Sequence, residues 1–312
     1  MLNKEKNFVS AVIYVHNAER RIETFLNMMI GIMEENFEHS EIICVNDCSD
    51  DGSADVIKTL SEKAETTSIS IVNMSFFHGL ELAMDAGRDL AIGDFVFEFD
   101  NTIFDFDSEM IMKIYQYSLT GYDIVSASPN KKKKLSSRFF YEVFDRFAEN
   151  SYELTTESFR ILSRRVINRI SSMNKTIPYR KAIYAGSGLK TANLKYEVKN
   201  AGRNYVDSKE KRYRSSLAVD TLILFTGFGY RFSFWMTSVM MLVSVFMILY
   251  TVIVYAIGHP IEGWTTTVLF LSVAFLGLFG ILTIIVKYLQ LIVDMVFKKK
   301  HYNFESVEKI SN

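Results

Sequence analysis

Two stretches in the last third of the chain, Phe232 to Ile257 and Gly263 to Val286, contain no Asp, Glu, Lys or Arg. At about 1.5 Å per residue each exceeds the roughly 30 Å core of a bilayer, and uncharged runs longer than about 18 residues seldom belong to water-soluble cores. They are read as two membrane-spanning helices, joined into a hairpin by Gly258-His259-Pro260-Ile261-Glu262. Lys209, Lys211, Arg212, Arg214 and Arg231 precede the first run, and Lys287, Lys298, Lys299 and Lys300 follow the second, while the link has no Lys or Arg. Positive charge stays on the cytoplasmic side, so both termini are expected there, at the inner membrane. Trp235 and Trp264, the only tryptophans, stand near the starts of the runs, where interfacial anchors belong.

No secretory signal is expected at the amino end, because Asn3 to Asn7 is polar and the apolar run Phe8 to Val15 is short. A cytosolic domain over 1–207 is therefore expected, followed by a basic juxtamembrane segment over 208–231, spans over 232–257 and 263–286, and a cytosolic basic tail over 287–312. Cys44 and Cys48 are the only cysteines and are read as a reduced, structural pair. Lys131 to Lys134 is read as a solvated loop rather than a nucleic-acid patch, and no nucleic-acid partner is expected.

Through the first 130 residues, apolar runs of strand length alternate with helical patterns. Strands are expected at Phe8 to Val15, Glu41 to Val45, Ser68 to Met74, Asp94 to Phe99 and Asp123 to Ser126. Helices are expected near Ala18 to Glu34, Ser53 to Ala64, Gly79 to Ala91 and Ser108 to Tyr117. This alternation implies an α/β, Rossmann-like domain with a mostly parallel sheet, helices on both faces and binding at the carboxyl ends of the strands. Gly79, Ala83, Gly87 and Ala91 form a small-residue stripe that lets its helix approach the sheet closely. Beyond Lys131 the pattern predicts helices at Ser136 to Asn150 and Phe159 to Ser172, a strand at Thr191 to Val198, and an interfacial helix from Tyr213 to Tyr230.

Polar clusters stand at three strand ends: Val15-His16-Asn17-Ala18-Glu19, Asp47 to Asp51, and Asp100-Asn101-Thr102. With SAVIYVHNAE, VNDCSDDGS, HGLELAMDAGRDLAIGDFVFEFD, SFRILSRRVI and KEKRYRSSLAVDTLILFTGFGYR in this order before two spans, the chain resembles the family-2 glycosyltransferases. The nearer resemblance is to their polyprenyl-phosphate, dolichol-phosphate-mannose-synthase-like branch. It implies a nucleotide-sugar donor held by Asn17, Glu19, Asp47 and Asp51, and a Mg²⁺ or Mn²⁺ ion at Asp100. Glu98, two residues before Asp100 and so on the same strand face, and Asp105 and Asp107 just beyond are the candidates for a second metal-binding charge. The resemblance also implies a lipid or donor phosphate at Arg203, Lys211 and Arg212, and a polyprenyl-phosphate acceptor at the bilayer surface. The product would be a single inverted sugar linkage for cell-envelope glycan synthesis or modification, and assembly into a homo-oligomer is compatible with this.

Two positions depart from the family pattern. Thr102 replaces the second carboxylate of the usual Asp-x-Asp, and Ser158 stands where the family has an Asp as presumed base, leaving Asp100 and Glu157 as the catalytic candidates. A phosphate acceptor tolerates the loss of a base, because its second pKa of about 6 makes it largely an oxyanion at neutral pH. The alternative is a catalytically degenerate member serving as a membrane-anchored nucleotide-sugar-binding or partner protein. A channel is disfavoured by spans without ionisable residues. His16, His39, His78, His259 and His301 are scattered and compose no site.

Overall fold

A computed structural model describes residues 4–130, 157–172, 180–199 and 304–309, together with separate helical positions between 235 and 292. The elements in chain order are β1 (Val9–Val15), α1 (Glu19–Asn36), β2 (Ser40–Asn46), α2 (Ser53–Ser61), β3 (Ser68–Met74), α3 (Leu80–Leu90) and β4 (Phe95–Phe99). They continue with α4 (Glu109–Leu119), β5 (Ile124–Pro129), β6 (Phe159–Ser163), α5 (Arg164–Ser172), α6 (Arg180–Gly186), β7 (Thr191–Tyr196) and β8 (Phe304–Lys309). One eight-stranded sheet runs β7-β5-β6-β4-β1-β2-β3-β8. The β1–β2, β1–β4, β2–β3 and β5–β7 pairs are parallel, whereas β6 lies antiparallel between β4 and β5 and β8 lies antiparallel on β3.

Every residue of β1 is buried, as a central strand covered on both faces requires. On one face Ile22, Phe25, Leu26 and Met29 of α1, with Ile111 and Ile114 of α4, cover Ala11, Ile13, Ile42, Cys44 and Phe97. On the other, Ala83, Met84 and Ala86 of α3, with Val166, Ile167 and Ile170 of α5, cover Val12, Ile43, Val45, Val96 and Leu162. The expected α/β layering is thus present. Cys44 and Cys48 are free thiols, and burial pushes Cys44 up to about 12.

The small-residue stripe does bring α3 against the sheet. A Cβ on Gly87 would lie 2.5 Å from Val12 Cγ1 and from Val45 Cγ2. Gly79 precedes α3 at φ 81°, a left-handed conformation that costs a side chain strain.

One expected helix is corrected. Residues from Phe159 do not run helical to Ser172; Phe159–Ser163 is strand β6, and the helix begins at Arg164. Phe159, Arg160, Ile161 and Leu162 are all buried, which a strand held between two others in the sheet achieves and an amphipathic surface helix does not.

The expected helices Ser136 to Asn150 and Tyr213 to Tyr230, Lys131 to Lys134 and the hairpin link lie outside the described residues, as does most of both uncharged runs and of the tail over 287–312; the described end of that tail forms strand β8, which was not expected. Among the described residues no helix is long and apolar enough to cross a membrane.

Close packing at Gly87 gives a stability test. Gly87→Ala should lower the unfolding free energy by about 1–3 kcal/mol through overpacking. Gly31→Ala in α1, where a Cβ meets nothing within 4 Å, should leave it unchanged or raise it by up to about 1 kcal/mol. Denaturant titration of the two variants reads the difference.

Candidate active site at the carboxyl edge of the sheet

The ends of β1 and β2 meet in an interlocked pair of loops. Asn17, at φ 46°, accepts from Asp50 N on Oδ1 at 2.9 Å, and its own N donates to Ser49 Oγ at 3.1 Å. Ala18 N donates to Ser53 Oγ at 2.9 Å, Glu19 N to Asp51 Oδ2 at 3.0 Å, and Gly52 N to Glu19 Oε2 at 3.4 Å. Ser53 also donates to Asp51 through both its N and its hydroxyl. These donors hold the Asp51 carboxyl below its usual range, against the opposing effect of burial. Asn17, Glu19 and Asp51 are therefore brought together, and their side chains fasten one loop to the other.

Asp47 sits beneath this loop pair. Its carboxylate accepts from His78 N and Gly79 N, each at 2.8 Å, and from the Tyr14 hydroxyl at 3.0 Å. It is enclosed, and burial pushes its carboxyl up despite these donors. It thereby fixes the turn into α3, where His16 packs on Phe77 and Phe76 stacks on His78, the ring centroids being 4.8 and 4.0 Å apart. Phe76 is exposed, so an aromatic face stands open at the end of β3.

A second cluster lies at the end of β4. Register places Glu98 opposite Arg160 of β6. Arg160 Nη1 donates to Glu98 Oε2 at 2.9 Å, Nη2 to Asp100 Oδ2 at 2.8 Å, and Nε to Glu157 Oε2 at 3.2 Å. Arg180 enters from α6: Nη2 donates to Asp100 Oδ1 at 2.8 Å, Nε to Glu81 Oε2 at 2.9 Å, and Nη1 lies 2.9 Å from Glu98 Oε2. The Tyr184 hydroxyl donates to Glu98 Oε1 at 2.8 Å and accepts from Arg88 Nη1 at 3.2 Å. Burial alone would raise both acids. The guanidiniums of Arg180, Arg160 and Arg88 hold Glu98 below the usual carboxylate range, and Arg160 with Arg180 holds Asp100 well below it.

The same geometry bears on a cation at Asp100. Both its oxygens are in ion-pair contact with guanidiniums, and both oxygens of Glu98 are engaged. Thr102 is buried, and among the described residues no three His, Cys, Asp or Glu side chains are grouped to hold a metal ion. In this arrangement the residues do not fit a divalent cation, because Arg160 and Arg180 already supply the positive charge.

Ser158 is also placed. Tyr196 donates its one hydroxyl proton to Asp105 Oδ1 at 2.9 Å, so the 2.7 Å contact between Ser158 Oγ and the Tyr196 oxygen has Ser158 as donor. Glu157 next to it faces Arg160. Arg203, Lys211 and Arg212 lie outside the described residues.

Arg160, Arg180, Glu81 and Tyr184 are the site residues that the sequence reading did not single out. For Arg160 a signal existed, a lone charge inside the apolar strand Phe-Arg-Ile-Leu. For Arg180 there was none, since its place depends on where the chain returns to the sheet.

A Rossmann-like sheet with polar loops on the carboxyl ends of β1, β2 and β4 and an enclosed acid–arginine cluster places the candidate site where an α/β domain of this kind binds its ligand. The family model of glycosyl transferase family 2 matches residues 10–172, and the chain belongs to that family. It is 27% identical over 282 residues to a prophage bactoprenol glucosyl transferase homolog of Escherichia coli, covering 86% of this chain and 88% of that one. It is 26% identical over the same length to the bactoprenol glucosyl transferase of Shigella phage SfV, again covering 86% and 88%. Among solved structures, glucosyl-3-phosphoglycerate synthase from Mycobacterium tuberculosis in complex with phosphoglyceric acid shares the fold, with a TM-score of 0.51 at 14% identity, covering 71% of this chain and 80% of that one.

Two predictions follow from the acid–arginine cluster. A carboxyl depressed in the folded state stabilises above its unfolded pKa and loses that contribution as pH falls through the folded value. The stability gap between wild type and Asp100→Asn is therefore full at neutral pH and closes progressively below about pH 4, which denaturant titrations across pH will show. For cation binding, paramagnetic resonance of Mn²⁺ should detect no tight site in the nucleotide-free wild type. Arg180→Met, which frees Asp100 Oδ1, should introduce one.

Proposed function

We propose that this glycosyltransferase moves a single sugar from a nucleotide donor to polyprenyl phosphate at the cytoplasmic face of the membrane. The observation that carries the reading is the likeness, over 86% of the chain, to proteins named bactoprenol glucosyl transferases. The donor lies along the ends of β1, β2 and β3, with its base toward the open Phe76 face and with Asn17, Glu19, Asp47 and Asp51 shaping the pocket. Asp100 and Glu157 sit beside the reacting sugar, and Arg203, Lys211 and Arg212 bind the acceptor or leaving phosphates.

In the reaction, an oxygen of the acceptor phosphate attacks the anomeric carbon from the side opposite the leaving group. The bond from that carbon to the donor diphosphate breaks, the electron pair leaves with the nucleoside diphosphate, and the sugar is inverted. The acceptor oxygen is already ionised at neutral pH, so no base has to remove a proton. The Ser158 hydroxyl, donating to Tyr196, accords with an acceptor of this kind.

Membrane attachment is part of the proposal and has two supports. Strand β8 follows the second uncharged run and pairs with β3 of the same domain that precedes the first run. The chain between must leave and return on one side of the bilayer, as a two-span hairpin does. Moreover, Leu271, Leu278, Leu282, Ile285, Leu289 and Ile292 are helical and exposed, and their sequence spacing of three, four or seven is that of an apolar helix face. Large apolar side chains exposed in this number are costly in water and favourable in lipid.

The test uses purified full-length protein in detergent or vesicles with a panel of sugar nucleotides. Release of free nucleoside diphosphate should require polyprenyl phosphate and occur with one donor class. No release with any donor would defeat the transfer reading and favour a binding role.

A further inference from the structure

Strand β8 covers the edge of the sheet and also ends a polar row that reaches the nucleotide loop. Register sets Asn46 of β2 beside Asn73 of β3, and Asn73 beside Ser306 of β8. Asn46 Nδ2 donates to Asn73 Oδ1 at 2.9 Å, and Asn73 Nδ2 donates to Ser306 Oγ at 3.1 Å. The remaining acceptor of the row, Asn46 Oδ1, takes the N–H of Ser49 at 3.2 Å. Ser49 lies in the loop that joins β2 to α2, next to Cys48, whose φ of 51° is a strained value for a residue with a side chain.

The row has a direction. An amide offers its NH₂ on one side and its oxygen on the other; Ser306 gives its one proton to Glu308 Oε1 at 3.4 Å, so its oxygen accepts from Asn73 and leaves the Asn73 oxygen facing Asn46. That leaves the Asn46 oxygen facing the loop. Without an acceptor at position 306, the Asn73 amide is free to turn and present NH₂ to the Asn46 NH₂. The contact would be lost, and the carbonyl that holds Ser49 would be released. Asn46 is buried, so water replaces these bonds poorly.

We infer that Ser306 is a positioning residue for the donor loop, so that docking of the C-terminal strand on β3 sets the affinity for the sugar nucleotide. Because β8 is the segment that follows the second uncharged run, the donor loop senses whether the chain beyond the hairpin has returned to the domain. The inference deepens the donor site proposed above and rests on that reading for its link to affinity.

The experiment compares full-length wild type, Ser306→Ala, Ser306→Thr and Lys58→Ala. The last removes the 2.9 Å ion pair between Lys58 and Glu308, which also holds β8 and reaches Ser306 only through the other oxygen of Glu308, an acceptor that the variant keeps. Two quantities are read: calorimetric affinity for UDP- and GDP-sugars, and amide hydrogen exchange of residues 47–53 in the free protein. Ser306→Ala should weaken donor binding about fivefold, the share of one hydrogen bond, and speed exchange at Ser49. Ser306→Thr should restore both, and Lys58→Ala should change neither. Wild-type affinity and exchange in Ser306→Ala would overturn the inference, as would equal effects of Ser306→Ala and Lys58→Ala. Should wild type bind no donor, the donor reading fails by itself, and the exchange of Ser49 alone then supports or overturns the role of Ser306.

Discussion

The ion-pair network around Arg160 and Arg180 is the constraint on which the rest of the site depends. Both guanidiniums are fully buried, and between them they hold Glu81 on α3, Glu98 on β4, Asp100 just beyond β4, and Glu157 just before β6. A buried ion pair gives little net stability over an apolar pair of the same shape, but losing one partner costs about 3–5 kcal/mol because a charge is left enclosed. Such a network fixes geometry more than it adds stability. Here it joins the antiparallel strand β6 and the helix α6 to the parallel part of the sheet, at the edge where a Rossmann-like domain binds its ligand.

The two polar clusters at that edge use carboxylates in different ways. At β1 and β2 the acids accept from backbone N–H groups, so Asp47 and Asp51 shape loops and turns. At β4 the acids face arginines, so charge is balanced inside the protein. An acceptor that arrives as a phosphate oxyanion brings its own ionised nucleophile, so the proposed chemistry asks such a site for alignment and not for a free base. The hydroxyl at Ser158 and the occupied carboxylate at Asp100 then belong to one arrangement.

Much of the fold was legible in the chain. The alternation of apolar runs with helical patterns located β1 to β5 and α1 to α4, because burial on both faces makes a central parallel strand continuously apolar. The stripe from Gly79 to Ala91 announced a close helix–sheet contact, and Gly87 makes one. Reading Phe159 to Ser172 as one helix failed because Phe-Arg-Ile-Leu can be amphipathic on a helix or buried in a strand, and only pairing with Glu98 and its neighbours decides between them. β8 was read as basic tail, since Phe-Glu-Ser-Val-Glu-Lys, with only two apolar residues, carries no strand signal without an edge to pair with. Asn17, Glu19, Asp47, Asp51 and Asp100 were expected just beyond strand ends, and they lie just beyond β1, β2 and β4. Their partners Arg160 and Arg180 were not expected, because contacts across 60 and 80 residues leave no local pattern.

The central claim is that one sugar passes to a lipid phosphate. Mass spectrometry and NMR of the lipid recovered from a reaction with full-length protein address it most directly. The account predicts a polyprenyl phosphate heavier by a single sugar, with an anomeric configuration opposite to that of the donor. A lipid carrying several sugars, a retained configuration, or an unmodified lipid beside a glycosylated hydroxyl acceptor would contradict it.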